Sequence, residues 1–158
     1  MKISSQFDSG SIEVVSVGAD DSAGASRTID LNLRLDEVSD PAVQIRQWFH
    51  FRLQGARGRP VRLRILNAGA ATYAGGWQGY RACASYDRVH WFRVDTRYDG
   101  AKGKGGDGSG VMTIEHTPER DARDKRLLQL IAVAHCRLHE NGEARNAQHT
   151  GDVEGEVT

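Results

Sequence analysis

The chain has 158 residues and a mass of 17.4 kDa, which suits one compact domain with a real core and argues against two. Lysine plus arginine and aspartate plus glutamate both count 21, so no net field draws the chain to nucleic acid or to an acidic membrane. Cys83 and Cys136 make no disulfide framework, MKISSQFDSG lacks the apolar core of a signal peptide, and no apolar run nears the roughly 20 residues of a bilayer span; a soluble, cytoplasmic protein is expected.

In chain order, Ser11 to Val17 (SIEVVSV) reads as a β-branched strand closed by the polar GADDSAGAS loop. From Thr28 to Asp36, Ile29, Leu31, Leu33 and Leu35 alternate with polar residues, the period-two signature of a half-buried strand. Ile45 to Leu53 repeats it, with Ile45, Gln47, Phe49, Phe51 and Leu53 on one side and Arg46, Trp48, His50 and Arg52 on the other. After a turn at Gly55, Gly58 and Pro60, Val61 to Asn67 continues, so consecutive strands are expected to pair antiparallel. Arg81 to Tyr86 and His90 to Tyr98 read as a hairpin about Asp87 and Arg88, and Gly110 to His116 as a further strand. The fold class this predicts is an all-β, antiparallel β-sandwich of roughly seven to nine strands.

The stretch from Asn67 to Asp99 holds Trp77, Tyr80, Tyr86, Trp91, Phe92 and Tyr98. Large aromatics so closely spaced either fill a core or face a partner. The glycines of DGAKGKGGDGSG match a dinucleotide fingerprint only formally, because a strand rather than a helix follows; a hairpin connection is expected. His116 and Glu119 spell H-x-x-E, a zinc-ligand pair in some hydrolases, yet Thr117, Pro118 and Glu119 also make a helix start and no third ligand is marked out. His135 and His139, beside Cys136, share one face of a helix that already has an apolar stripe, and read as helix surface. Ser85, Asp87 and His90 are the residue types of a nucleophile, acid and base, but no G-x-S-x-G elbow is present and Asp87 reads as a turn residue. Arg57, Arg59, Arg62 and Arg64 form a local basic cluster able to hold an acidic peptide or phosphate, weighed against a solvated strand face.

NAGAATYAGGWQGYRACASYDRVHWFRVDTRYD, with ISSQFDSGSIEVV and QWFHFRLQGARG upstream, resembles the N-terminal domain of the cytosolic zinc carboxypeptidases, particularly their bacterial members, over residues 3 to 119. The resemblance implies an antiparallel sandwich that precedes a zinc carboxypeptidase domain. In that family the zinc is held by an H-x-x-E pair, reading HPGE after Arg-Gln, and a later histidine, all in the C-terminal domain. This chain has no such segment, so HTPE at His116 and Glu119 is not carried over as a zinc site, and no cofactor is expected in this chain.

After Glu119 the sequence departs from the family's strand and aromatic segment. Residues 1–118 are therefore read as the sandwich, 119–141 as a C-terminal helix stopped by Asn141 and Gly142, and 142–158 as a disordered tail. A strand missing at that point would leave a sheet edge open to self-association or to a partner strand.

The expected function is that of an accessory domain docking to or supporting a metallocarboxypeptidase, inactive alone, with exposed residues among Tyr73, Trp77, Tyr80, Trp91 and Arg93 making the contact. The expected partner is the catalytic domain or another protein, with no nucleic acid and no membrane. The alternative is a stand-alone module holding acidic peptides or carbohydrate through the aromatics and the Arg57 to Arg64 cluster. A third is a hydrolase using His116, Glu119 and His135 or His139.

Overall fold

The alternating segments fold as strands whose apolar faces meet. The structure, a computed structural model, describes residues 1–19, 25–38, 40, 42–100 and 108–118, and the backbone alone of 127–133. Among the described residues ten strands form two five-stranded sheets: β1 (Lys2–Ser4), β2 (Glu13–Val17), β3 (Arg27–Asn32), β4 (Trp48–Gln54), β5 (Val61–Ile65), β6 (Cys83–Ser85), β7 (Trp91–Arg93), β8 (Asp95–Tyr98), β9 (Met112–His116) and β10 (Leu127–Val133). One sheet runs β1-β4-β10-β6-β7, the other β2-β3-β5-β9-β8. The all-β sandwich expected from the alternation is the fold.

The core lies between the sheets. Phe49, Phe51 and Leu53 of β4 face Ile29 and Leu31 of β3, Val61, Leu63 and Ile65 of β5, and Met112 and Ile114 of β9, each at most 1% exposed. Burying one such side chain is worth about 1.5–3 kcal/mol, so this row dominates the stability.

Pairing departs from the expected order in several places. β3 and β5 pair parallel, from Arg27 opposite Val61 to Leu31 opposite Ile65, because β4 between them belongs to the other sheet and the chain re-enters in the same direction. β3 also stops at Asn32 rather than Asp36: the Asn67 side chain takes over the ladder, accepting from the Leu33 amide at 2.7 Å and donating to the Leu33 carbonyl at 3.0 Å. Leu35, expected on the core face, is 45% exposed. The segment His90 to Tyr98 is two strands, not one. Val94, 2% exposed, is the pivot where the chain leaves one sheet for the other, held by its amide on the Ala82 carbonyl and by Thr96 Oγ1 on its own carbonyl.

The C-terminal helix expected over 119–141 is corrected at its centre, where Leu127–Val133 is a strand. It runs antiparallel to β4 over seven residues and to β6 over three, filling the middle of its sheet. Two otherwise unpaired strand edges, with their backbone donors and acceptors, outweigh local helical preference. Pro118, read as a helix start, is instead buried with its carbonyl accepting the Gly58 amide at 2.8 Å. The strand whose absence would have opened the sheet is present, so that reason for self-association falls. Positions 119–126 and 134–141, the tail 142–158 and the glycine loop at 101–107 lie outside the described residues.

Candidate functional site

The aromatic stretch is divided between core and surface. Two 3-10 turns, Ala68–Ala70 and Ala74–Trp77, carry it into the sandwich, and small residues make that possible. Ala68 and Ala74 are buried, and Gly69 lies against the Ser109 carbonyl where any Cβ would collide. Trp77 is 1% exposed, its indole N–H donating to the Ala68 carbonyl at 3.1 Å and its ring edge-on to Tyr80 at 5.8 Å. Tyr80 is 7% exposed. Contrary to the expectation that they stand on the contact surface, both are packing residues, because the turns direct them inward. Tyr73, Trp91 and Arg93 are exposed.

Trp91 and Arg93 stand on β7, the edge of its sheet, beyond the β6–β7 hairpin. The hairpin turn is built by Ser85 and Asp87. Ser85 Oγ donates to Asp87 Oδ1 at 3.1 Å and accepts the Arg88 amide at 2.8 Å, while Asp87 Oδ1 accepts the Val89 and His90 amides at 2.9 and 2.8 Å. His90 Nδ1 meets Asp87 Oδ2 at 2.6 Å. The His90 side chain first, then the amides of His90 and Val89, hold the Asp87 carboxyl far below the usual carboxylate range. Here the acid, not the histidine, sits next to the serine, so the geometry is a turn rather than a nucleophile with its base. The turn places Arg88 at φ 67, a left-handed conformation uncommon outside glycine.

The basic cluster is split. Arg57 and Arg59 sit in the turn between β4 and β5, whereas Arg62 and Arg64 stand on β5, lining an open groove of about 630 Å³ with Arg97, Thr113 and Glu115. Arg64 grips Asp30 with two bonds of 2.7 and 2.9 Å. Arg62 and Arg97 share Glu115 at 2.7 and 3.1 Å. Hydrogen bonding to Arg64 holds the Asp30 carboxyl below its usual value despite partial burial, and Arg62, then Arg97, do the same for Glu115. These arginines are engaged with the protein's own acids.

His116 meets the Tyr86 hydroxyl at 3.0 Å and lies among the Tyr86 and Phe92 rings. Its expected companion Glu119, like His135 and His139, lies outside the described residues. Among the described residues no group of three His, Cys, Asp or Glu side chains is arranged to hold a metal ion. Sequence reasoning misses Asp36, whose carboxyl is raised by burial, opposed by a hydrogen bond from Trp48. It lines a second open groove with Arg34, Glu37 and Trp48, and its place on the polar face of an alternating segment concealed it.

Comparison with known proteins agrees with this architecture. Residues 3–124 match the family model described as the cytosolic carboxypeptidase N-terminal domain. The chain superposes on a metallo-carboxypeptidase from Burkholderia cenocepacia with a TM-score of 0.63 and 36% identity, covering 90% of this chain and 32% of that one. A metallo-carboxypeptidase from Pseudomonas aeruginosa, solved with (2-guanidinoethylmercapto)succinic acid, gives 0.62 and 32%, covering 91% and 34%. An uncharacterised protein of Zymomonas mobilis is 29% identical over 118 residues, 75% of this chain and 26% of its own length. The chain thus spans between a quarter and about a third of these relatives. It belongs to the family of cytosolic carboxypeptidase N-terminal domains.

Proposed function

We propose that this chain is the accessory β-sandwich of a zinc metallocarboxypeptidase, docking to or supporting the domain that releases C-terminal residues. The observation that carries the proposal is one of proportion. The family match takes in 3–124, nearly the whole described sandwich, while the Burkholderia enzyme devotes only 32% of its chain to the matching part. The remainder of such an enzyme is the natural partner.

The chemistry of the described residues favours the same reading. Among the described residues no group of three suitable donors stands together, and this reading gives the family's zinc and the hydrolysis it serves to the catalytic domain. Ser85, Asp87 and His90 are consumed by a turn. The family's cytosolic members make the cytosol the proposed setting, and Cys83 is a free thiol. Among the described residues no helix is long and apolar enough to cross a membrane.

The alternative, capture of acidic peptides by the arginines, is less favoured because Arg62 and Arg64 would first have to release Glu115 and Asp30. Co-expression with a homologous catalytic domain, followed by capture on a tag carried by this chain, tests the proposal. Copurification and a gain in soluble carboxypeptidase are expected. Stoichiometric zinc with release of C-terminal residues by this chain alone would refute it.

A further inference from the structure

Two groups of arginines on the described strands and turns differ in their partners. On the outer face of β5 and β8 each arginine has an acidic partner: Arg64 pairs with Asp30, and Arg62 and Arg97 share Glu115. Around the β6–β7 hairpin the opposite holds. Arg81, Arg88 and Arg93 are exposed, and none has an ion-pair partner among the described residues. The hairpin's own acid, Asp87, is taken by His90 at 2.6 Å, and Asp95, the next acid along the chain, makes no ion pair with them.

Between these charges lie two apolar side chains that the fold leaves in water. Val89 is 73% exposed, more than any other large hydrophobic described, and Trp91 is 41% exposed. Trp91 and Arg93 occupy one face of β7, opposite Ser85 and Cys83, and among the described residues β7 is an edge strand paired on that side only. Tryptophan and arginine are the residues most enriched where binding energy concentrates, and lone guanidiniums pair well with carboxylates in two-pronged geometry. Arg93 is also held before any partner arrives: it donates to the Arg81 carbonyl at 2.6 Å and lies over the Tyr80 ring at 5.7 Å, while Arg81 donates back to the Arg93 carbonyl at 3.4 Å. A side chain already ordered loses less entropy on binding.

We infer that the β6–β7 hairpin, with Val89 and Trp91 at its centre and Arg81, Arg88 and Arg93 around them, is the face that docks on the peptidase domain, against an apolar patch rimmed by carboxylates. The inference rests on the accessory reading and specifies its surface. The occupant follows from the two-thirds of the Burkholderia chain left outside the matched 32%, and the three guanidiniums without an ion-pair partner ask for an acidic counterpart.

The test is capture of the Burkholderia cenocepacia enzyme's unmatched part, co-expressed with this chain and, as a positive control, with its own matched segment. Trp91→Ala and the double reversal Arg81→Glu, Arg93→Glu should each weaken the complex about tenfold or more, and wild-type affinity should fall with added salt. Lys2→Glu, at the opposite edge of the same sheet, should leave it unchanged. Circular dichroism checks each fold, and if the double variant unfolds, Trp91→Ala decides alone. Wild-type binding that neither variant weakens overturns this face while leaving the accessory reading intact. Failure of the wild type to bind, with the positive control intact, overturns both.

Discussion

Trp77 and Trp91 come from one aromatic stretch and have opposite roles, which a stability measurement separates. Trp77→Ala removes a ring that is 1% exposed and packed against Phe49 at 6.4 Å and Tyr80 at 5.8 Å. Large-to-small changes of a buried tryptophan cost about 3–5 kcal/mol, including the cavity left behind. Part of that loss is the hydrogen bond to the Ala68 carbonyl, an acceptor on a fully buried residue, worth about 1 kcal/mol. With a urea m-value of about 2 kcal/mol/M, a loss near 4 kcal/mol lowers the unfolding midpoint by about 2 M, a large share of a stability of roughly 5–15 kcal/mol. Trp77→Phe keeps an aromatic ring beside Phe49 and Tyr80 but loses the donor, and should fall between wild type and Trp77→Ala. Trp91→Ala, at an exposed edge, should stay within about 0.5 kcal/mol. Urea titration followed by far-UV circular dichroism reads all three. Equal midpoints for the two alanine variants would refute the assignment of one tryptophan to the core and the other to the surface.

Three further outcomes are expected. Because Arg64 holds the Asp30 carboxyl below its ordinary 3.8, the unfolded chain takes up the proton first on acidification; the pair's contribution is full above about pH 3.8 and drains away as pH falls through the lower folded value. Asp30→Asn should therefore flatten the acid limb of a stability–pH curve below about pH 4, at a cost near neutrality of ~1 kcal/mol or less, since the pair is partly solvated. Asp36 has the opposite sign: burial raises its folded value above 3.8, so its ionisation costs stability as pH rises through that interval. Its Oδ1 has no partner among the described residues, and Asp36→Asn should leave stability at neutral pH equal or up to about 1 kcal/mol higher by urea titration. Finally, truncation after residue 126 removes β10 from between β4 and β6 and should abolish cooperative unfolding, seen by the same titration and by size exclusion. A truncated chain with a native-like transition would show that the central strand is dispensable.

The legible part of the fold is its half-buried strands. Phe49, Phe51 and Leu53 alternate with Trp48, His50 and Arg52 because one face is core and the other is not, and that pattern survives in any partner arrangement. β10 is hidden because LLQLIAV is apolar at nearly every position, and a short continuous apolar run does not distinguish a central strand from a helix; Thr117 and Pro118 then supply a misleading cap. The parallel pairing of β3 with β5 and the sheet change at Val94 are hidden too. Each is fixed by contacts between segments distant in sequence, and Val94 carries no turn residue to mark the switch.

The same physics governs how much of the candidate site is legible. In sequence Arg62 and Arg64 look like the more concentrated cationic cluster, with Arg57 and Arg59 just before them. Register cancels that appearance: Arg64 lies beside Asp30, 34 positions away, and Arg62 is opposite Glu115, 53 positions away. Arg81, Arg88 and Arg93 are spread over more chain and stand out less, yet the β6–β7 register brings Arg93 back to Cys83, near Arg81, and no acid stands across from them among the described residues. Whether an arginine is available to a partner is therefore decided by the strand beside it. Charge along a β chain reports on binding only after each cation has been set against its cross-strand neighbour.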